Sequence, residues 1–337
     1  MRPEFGYSVT PGPPQGVAEE SAAAEALGYD RIGIWDSPAL FREPWVTLAA
    51  TAVATERAAI GPWVTNPLSR HPVVTAAAAA SVDDLAPGRT YIGIGSGGTG
   101  AWHLGYRTAT LVVLEDYVAA VRSLLEDGRA DWDGRPCRLE WAQRRIPVIL
   151  SAHGPQSLRL GGRIADGVVA GLGVTPEAVR SCLELVAEGA REAGRSPDDV
   201  AVWFTCFWLP GVSARDATWA ATAFALHFAR SGVEGKFVPD EHRDAVVELG
   251  RAYDLVSHGA VTDDEKERYA DLAESLGIAD YLRRRFVFHG APEEVEAQIR
   301  AAMTAGARRF DGAIDADLPE HHDRIERWAR DVMPRFG

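Results

Sequence analysis

Short apolar runs of β-type composition alternate with longer segments of helical periodicity almost from the first residue, and this alternation constrains the fold more than any other feature of the chain. Strand-like runs occupy residues 4–9, 31–35, 59–64, 90–95, 147–151, 167–170, 200–207 and 308–314, eight in all. Between them, residues 15–27, 44–55, 72–85, 108–126, 155–164, 176–193 and 213–230 carry apolar side chains at helical spacing. Prolines at or near the first turn, Pro44, Pro72, Pro155, Pro176 and Pro292, support those boundaries, because a missing amide costs little there. Strands joined by helical crossovers build a parallel sheet, and eight such units in 337 residues fit a closed barrel better than an open sheet of two halves. The expected class is therefore α/β, a (β/α)8 TIM barrel forming a single domain over residues 1–337.

Two intervals are longer than barrel loops require. Residues 127–146 read as a turn-rich excursion before the fifth strand. Residues 231–290 read as a helical insertion after the seventh strand, with helices near 241–256 and 263–276. On the face where barrel loops gather, such a segment is expected to act as a lid or to select substrate; an outer helical layer or a dimer contact is the alternative.

Composition excludes several classes. No apolar run approaches the roughly 18 residues of a membrane span, and the N-terminal residues lack a secretory pattern, so a cytoplasmic protein without membrane partners is expected. A net charge of -13 without a basic stripe argues against nucleic acid. Cys137, Cys182 and Cys206 share no metal-ligand spacing, so neither a disulfide framework nor a metal site is expected. Only Lys236 and Lys266 supply lysine, which argues against Schiff-base and Walker-type chemistry. The basic run Arg283, Arg284, Arg285 reads as a solvated helix end, with contact to an anionic tail or a neighbouring subunit as the alternative.

The chemistry-bearing motifs fall at expected strand ends. Gly93, Gly95, Gly97 and Gly98 follow the fourth strand-like run. A dinucleotide fingerprint needs such glycines after a first strand with a helix opening at once, whereas three βα units precede them here. At a barrel mouth the same bare amides suit a planar cofactor. The third run closes with Thr65, Asn66, Arg70 and His71 between prolines, and the fifth leads through Ser151, Ala152 and His153 to Gly154, Pro155, Gln156 and Ser157. Amides of Gly154, Gln156 and Ser157 at a helix N-terminus make a ready anion site, with capping by Ser151 or His153 as the plainer alternative. Asp166 sits in a tight turn, where a structural role is expected.

These motifs, with residues 28–36 and 165–167, occur in an order that resembles the bacterial luciferase-like superfamily, most of all its branch of deazaflavin-dependent reductases typified by methylenetetrahydromethanopterin reductase. The resemblance implies a homodimeric barrel holding reduced coenzyme F-420, or alternatively FMN, at its C-terminal mouth. By position, Asp36, Val64, Thr65, Asn66, Gly95, Ser96, Gly97, Gly98, Ala152, His153, Gly154, Pro155, Gln156 and Ser157 would contact the cofactor. A non-prolyl cis peptide, frequent in this branch, would fall at Trp63-Val64.

The chain departs from the branch where acid-base residues are usual. Ser8 stands where an acidic residue is common, Asp36-Ser37 where an Asp-His pair is common, and Gly98, Thr99 and Gly100 where a carboxylate often follows the glycines. His71 or His103 becomes the expected proton donor, with Asp36 and Glu115 as carboxylate alternatives. Ser8 and Thr65 are candidates for orienting substrate or ring, while Arg107, Arg159 and Arg163 would suit an anionic tail. The expected reaction is hydride transfer from reduced F-420 to a C=C, C=N or C=O bond of a small metabolite. Alternatives are an FMN-dependent monooxygenase, a metal-dependent barrel hydrolase using His71, His103 and His153, and a non-catalytic cofactor-binding barrel.

Overall fold

A computed structural model describes residues 2–254, 261–313 and 318–337. Eleven strands occur among them: β1 (Glu4–Val9), β2 (Arg31–Ile34), β3 (Ala59–Pro62), β4 (Ile92–Ile94), β5 (Arg129–Trp132), β6 (Arg135–Arg138), β7 (Val148–Ala152), β8 (Gly167–Ala170), β9 (Ala201–Pro210), β10 (Val287–Gly290) and β11 (Arg309–Ala313). Parallel pairing runs in the order β3, β2, β1, β11, β9, β8, β7, β4. Backbone hydrogen bonds then join the two ends of that order. The amides of Tyr91 and Gly95 donate to the carbonyls of Ile60 and Thr65 (3.0 and 2.8 Å), and the barrel closes between β3 and β4.

All eight expected strands are barrel strands, and helices fill the crossovers. Ile314 and residues 255–256, included in the expected strand and insertion helix, lie outside the described residues. Three local expectations are corrected. The excursion before β7 is an antiparallel hairpin of β5 and β6, closed through Asp133 and Gly134 at positive φ. A four-residue helix, Thr99–Trp102, opens directly after the glycine loop, ahead of the long helix Leu111–Glu126. The insertion ends in a strand: β10 pairs with residues 207–210 of the ten-residue β9, beyond the stretch 203–207 that pairs with β11.

Strand residues alternate between two cores, as a barrel requires. Phe5, Tyr7, Ile32, Ile34, Ile60, Ile92, Leu150, Val168 and Phe204 join the large cluster shared with the helices. Trp63, Tyr91, Ile149, Val169 and Trp203 form the second, interior cluster. Inside it the Arg31 guanidinium lies between the rings of Trp63 and Trp203, 3.3 and 3.9 Å from their centroids, and pairs with Asp311 at 2.6 Å. Small neighbours make room for this aromatic sandwich: a Cβ on Gly33 would stand 2.7 Å from that of Trp63. Burial pushes the Asp311 carboxyl above its usual range despite Arg31 beside it.

Candidate active site

The mouth is built on the stretch that follows β3. Trp63-Val64 is a cis peptide, as the resemblance implied. Beyond it, Thr65 N–H donates to Gly93 O (2.9 Å) and Asn66 Oδ1 accepts from the amides of Leu68 and Ser69 (both 3.0 Å), which folds the following turn over its own side chain. Thr65 is fully buried, and its hydroxyl has no hydrogen-bond partner among the described residues.

Most glycines of the β4 loop serve this stretch by close packing. A Cβ on Gly93 would lie 2.2 Å from Pro62 O, one on Gly95 2.8 Å from Val64 Cγ2, and one on Gly97 about 3.2 Å from Asn66. Only at Gly98 does a Cβ have space, with Trp102 nearest at 3.8 Å. Close approach of β3 and β4 thus accounts for Gly93, Gly95 and Gly97, and Gly98 is the one of the four with open space beside it.

Charge links the loops after β2 and β3. Arg70 donates to both carboxylate oxygens of Asp36 (3.2 and 3.3 Å) and to Glu43 Oε2 (2.7 Å), and the Asp36 side chain has no solvent exposure. Ser37 Oγ meets Thr99 Oγ1 at 2.9 Å, and a Cβ on Gly100 would press on Asp36 O. Asp36, Thr65, Asn66 and the glycine loop are thereby one connected unit.

Next to β4, its pairing partner β7 leads to His153, whose Nε2 meets Ser151 Oγ at 3.2 Å. Burial, with Lys236 nearby, lowers its pKa to about 4, so the ring is neutral at physiological pH. Gly154 N-caps the helix Pro155–Ile164, with Ser157 Oγ bonding both its amide (3.2 Å) and its carbonyl (2.9 Å). Capping therefore falls to Ser157, and neither Ser151 nor His153 supplies it. Lys236 reaches this helix head from the insertion and is 3% exposed; burial lowers its pKa to about 8. Arg285 anchors that segment by donating to Lys236 O, Phe237 O and Leu172 O. The basic run expected at a solvated helix end thus contributes a buried clamp, because three carbonyls replace the water that Arg285 gives up.

The two proton-donor candidates differ. His71 is exposed and caps the helix Pro72–Leu85: Val73 N–H donates to its Nδ1 (3.2 Å), while Nε2 faces Cys137 of the hairpin at 3.9 Å. His103 follows the short helix after the glycines, with its Nε2 buried and, among the described residues, without a hydrogen-bond partner. Glu115 is engaged outside the mouth by Arg163 (3.0 Å), Arg159 pairs with Glu188 (2.7 Å), and Arg107 is exposed. The arginines expected to meet an anionic tail are thus occupied or outward. Asp166 does serve its turn, accepting from Val148 N (2.9 Å), Arg122 and Arg145. Among the described residues no three His, Cys, Asp or Glu side chains converge as metal ligands, so His71, His103 and His153 are not brought together.

The sequence profile of the family described as luciferase-like monooxygenase matches residues 3–309. The chain belongs to that family. Within this luciferase-like family, a 5,10-methylenetetrahydromethanopterin reductase of Methanolobus tindarius is 26% identical over 320 residues, covering 91% of this chain and 92% of the relative. Among solved structures, the coenzyme F420-dependent tetrahydromethanopterin reductase of Methanopyrus kandleri superposes with a TM-score of 0.74 at 22% identity, covering all of both chains. An F420-dependent secondary alcohol dehydrogenase does so with a TM-score of 0.71 at 20% identity, again over both whole chains. These superpositions establish the luciferase-like barrel as the fold.

Sequence reasoning missed Lys236, Arg285 and an aromatic stack of Trp219, Tyr253 and Tyr269, against which Trp102 of the glycine-loop helix packs. The scarcity of lysine was a usable signal for the first. Nothing in the local sequence marks Arg285 apart from Arg284.

Proposed function

We propose that this protein is an F-420-dependent oxidoreductase that reduces a C=C, C=N or C=O bond of a small metabolite. When bound, the reduced deazaflavin supplies a hydride. The observation that carries the reading is the buried, unpartnered Thr65 hydroxyl at the end of the cis Trp63-Val64 stretch, a polar atom that a bound heterocycle would satisfy. The likeness over the whole chain to a reductase and a secondary alcohol dehydrogenase that are both described as F420-dependent supports the choice of deazaflavin.

The residues present fit that group. Val64, Thr65 and Asn66 would back the ring from the β3 side, Gly95, Ser96, Gly97 and Gly98 from the β4 side, and Asp36 would hold the β2 side through its pair with Arg70. Ala152, His153, Gly154, Pro155, Gln156 and Ser157 would hold the tail, because a helix head offers amides to negative charge. His103 is assigned as the proton donor to the substrate: its buried Nε2 lacks a partner among the described residues, whereas both nitrogens of His71 face other groups. The insertion 231–290 acts as a lid or substrate-selecting segment of a single barrel domain, supported by the packing of Trp102 on the aromatic stack that Tyr253 and Tyr269 of the insertion form with Trp219.

The proposal extends to a cytoplasmic homodimer. Free thiols at Cys137, Cys182 and Cys206 suit a reducing compartment, and exposed Val46, Val53 and Val74 on the neighbouring helices Pro44–Ala54 and Pro72–Leu85 suit a subunit contact. Fluorescence titration of the purified protein with F-420 and with FMN tests the central point. Preference for F-420 supports it; micromolar FMN binding without an F-420 response would make the protein a flavin enzyme instead.

A further inference from the structure

Phe237 of the insertion holds a backbone conformation that its own side chain resists. Its φ is +58°, in the left-handed region, where a bulky side chain crowds the backbone and glycine, asparagine or aspartate is usual. Among the described residues the one other non-glycine at positive φ is Asp133, an aspartate in a hairpin turn, where that conformation is ordinary. Full burial does not repay the strain, because Phe237 is 38% exposed while its neighbour Val238 is buried.

The surroundings impose this conformation. Buried Arg285 donates to Phe237 O (2.6 Å), to Lys236 O and to Leu172 O (2.8 Å), so one guanidinium ties the turn to the segment after β8. A Cβ on Gly235 would come within 2.7 Å of Pro155 Cγ, which sets the same turn against the segment after β7. Backbone strain persists where the structure around it over-determines it, and such positions cluster at sites that bind or react. An exposed aromatic side chain is thereby held at the C-terminal ends of β7 and β8. The strand on the other side of β7 is β4, whose loop brings Trp102; its Cη2 stands 3.8 Å from where a Cβ on Gly98 would be. Aromatic side chains thus border the mouth on the β4 side and on the β8 side of β7, while the Asp36 carboxylate is already paired with Arg70. Walls of this kind favour a flat apolar group, which gains offset or edge contacts with rings beyond the area it buries.

We propose that Phe237 is a specificity-determining contact for the substrate, and that the substrate carries an aryl or similarly flat apolar group. The assignment rests on the F-420 reading, and it names the side chain through which the insertion selects.

Protein loaded with oxidised F-420 cannot turn substrate over, so calorimetry can read binding of two enones that differ in a phenyl against a methyl group, 4-phenylbut-3-en-2-one and pent-3-en-2-one. Wild type is expected to bind the phenyl enone more tightly. Phe237→Gly should weaken the phenyl enone by about 3- to 10-fold, the scale of one lost aromatic pair, and leave pent-3-en-2-one and F-420 within about 2-fold of wild type. Phe237→Ala should lose the same affinity yet melt at a lower temperature than Phe237→Gly, because only alanine keeps a Cβ at left-handed φ. Phe237→Tyr should restore the preference for phenyl, which a side chain that merely supports the fold would not do. Equal weakening of both enones would make Phe237 a structural residue, and weakening of F-420 with the phenyl preference kept would make it a cofactor contact; each overturns the assignment and leaves the cofactor reading intact. A wild type that binds F-420 but is indifferent to the phenyl group, or variants in which glycine melts no higher than alanine, would overturn it as well. A wild type that binds no F-420 would remove the cofactor reading itself, and the role of Phe237 with it.

Discussion

Arg70 grips Asp36 by both oxygens of its carboxylate, at 3.2 and 3.3 Å, and so ties the loop after β2 to the turn after β3. Asp36 has no exposed side-chain surface and Arg70 little, so the pair is a buried one. Removing one partner strands the other charge. Arg70→Met is therefore expected to cost about 3–5 kcal/mol of stability, read as a lower midpoint in urea. Glu43→Gln, which breaks the contact to a carboxylate 41% exposed, should cost under about 1 kcal/mol. Equal effects would show that Asp36 is not held through Arg70.

The two histidines should separate structure from turnover. His71→Ala removes the side chain that accepts from Val73 N and should lower stability by about 1 kcal/mol, with little effect on catalysis. His103→Gln should leave the fold intact and lower kcat by about 100-fold or more on any substrate that an activity screen finds, the scale of a lost proton donor. Full turnover by His103→Gln would return the role to a group outside this loop.

Glycine substitutions test the division of labour in the β4 loop. Gly93→Ala sets a methyl group 2.2 Å from a backbone carbonyl, which cannot move as a side-chain tip would. A loss of at least about 1–3 kcal/mol is expected by thermal melting, together with loss of cofactor affinity. Gly98→Ala meets nothing closer than 3.8 Å, so its cost, set by the Gly98 backbone at φ -67 and ψ -109, should fall below that of Gly93→Ala. If Gly98 faces the ring, its alanine variant should nonetheless weaken F-420 binding; unchanged affinity would take Gly98 out of the cofactor wall.

What could be read in the sequence follows from the range of the interactions involved. Barrel strands announce themselves through local apolar runs punctuated by proline and glycine, and all eight were legible. β10 was not, because Val287–Gly290 is a strand only through its pairing with the far end of β9, some 80 residues earlier in the chain. The glycines of the β4 loop were visible, but their packing role was not: a missing Cβ looks the same in sequence whether a ligand or Val64 comes close. His71 was placed at the mouth from its position after β3, but a single-residue turn decides whether a histidine points inward or caps the next helix. Lys236 and Arg285 act through contacts across the fold, with Gly154 and Leu172, that no local pattern encodes.

His153 provides the pH signature of the site. Its folded pKa of about 4 lies below the usual 6.5, so the native ring stays neutral while the unfolded chain takes up a proton first as the pH falls. Its contribution to stability is thus fully present above about pH 6.5 and is lost as the pH drops toward 4, a loss on the order of 2–3 kcal/mol. His153→Gln should flatten that part of the stability profile in urea titrations at successive pH values. Lys236 helps hold the ring neutral, since a nearby cation disfavours a second positive charge. Imidazole resonances followed by NMR should accordingly place the His153 titration higher in Lys236→Met than in wild type; an unmoved titration would show that desolvation alone sets it and that the lysine charge does not reach the ring.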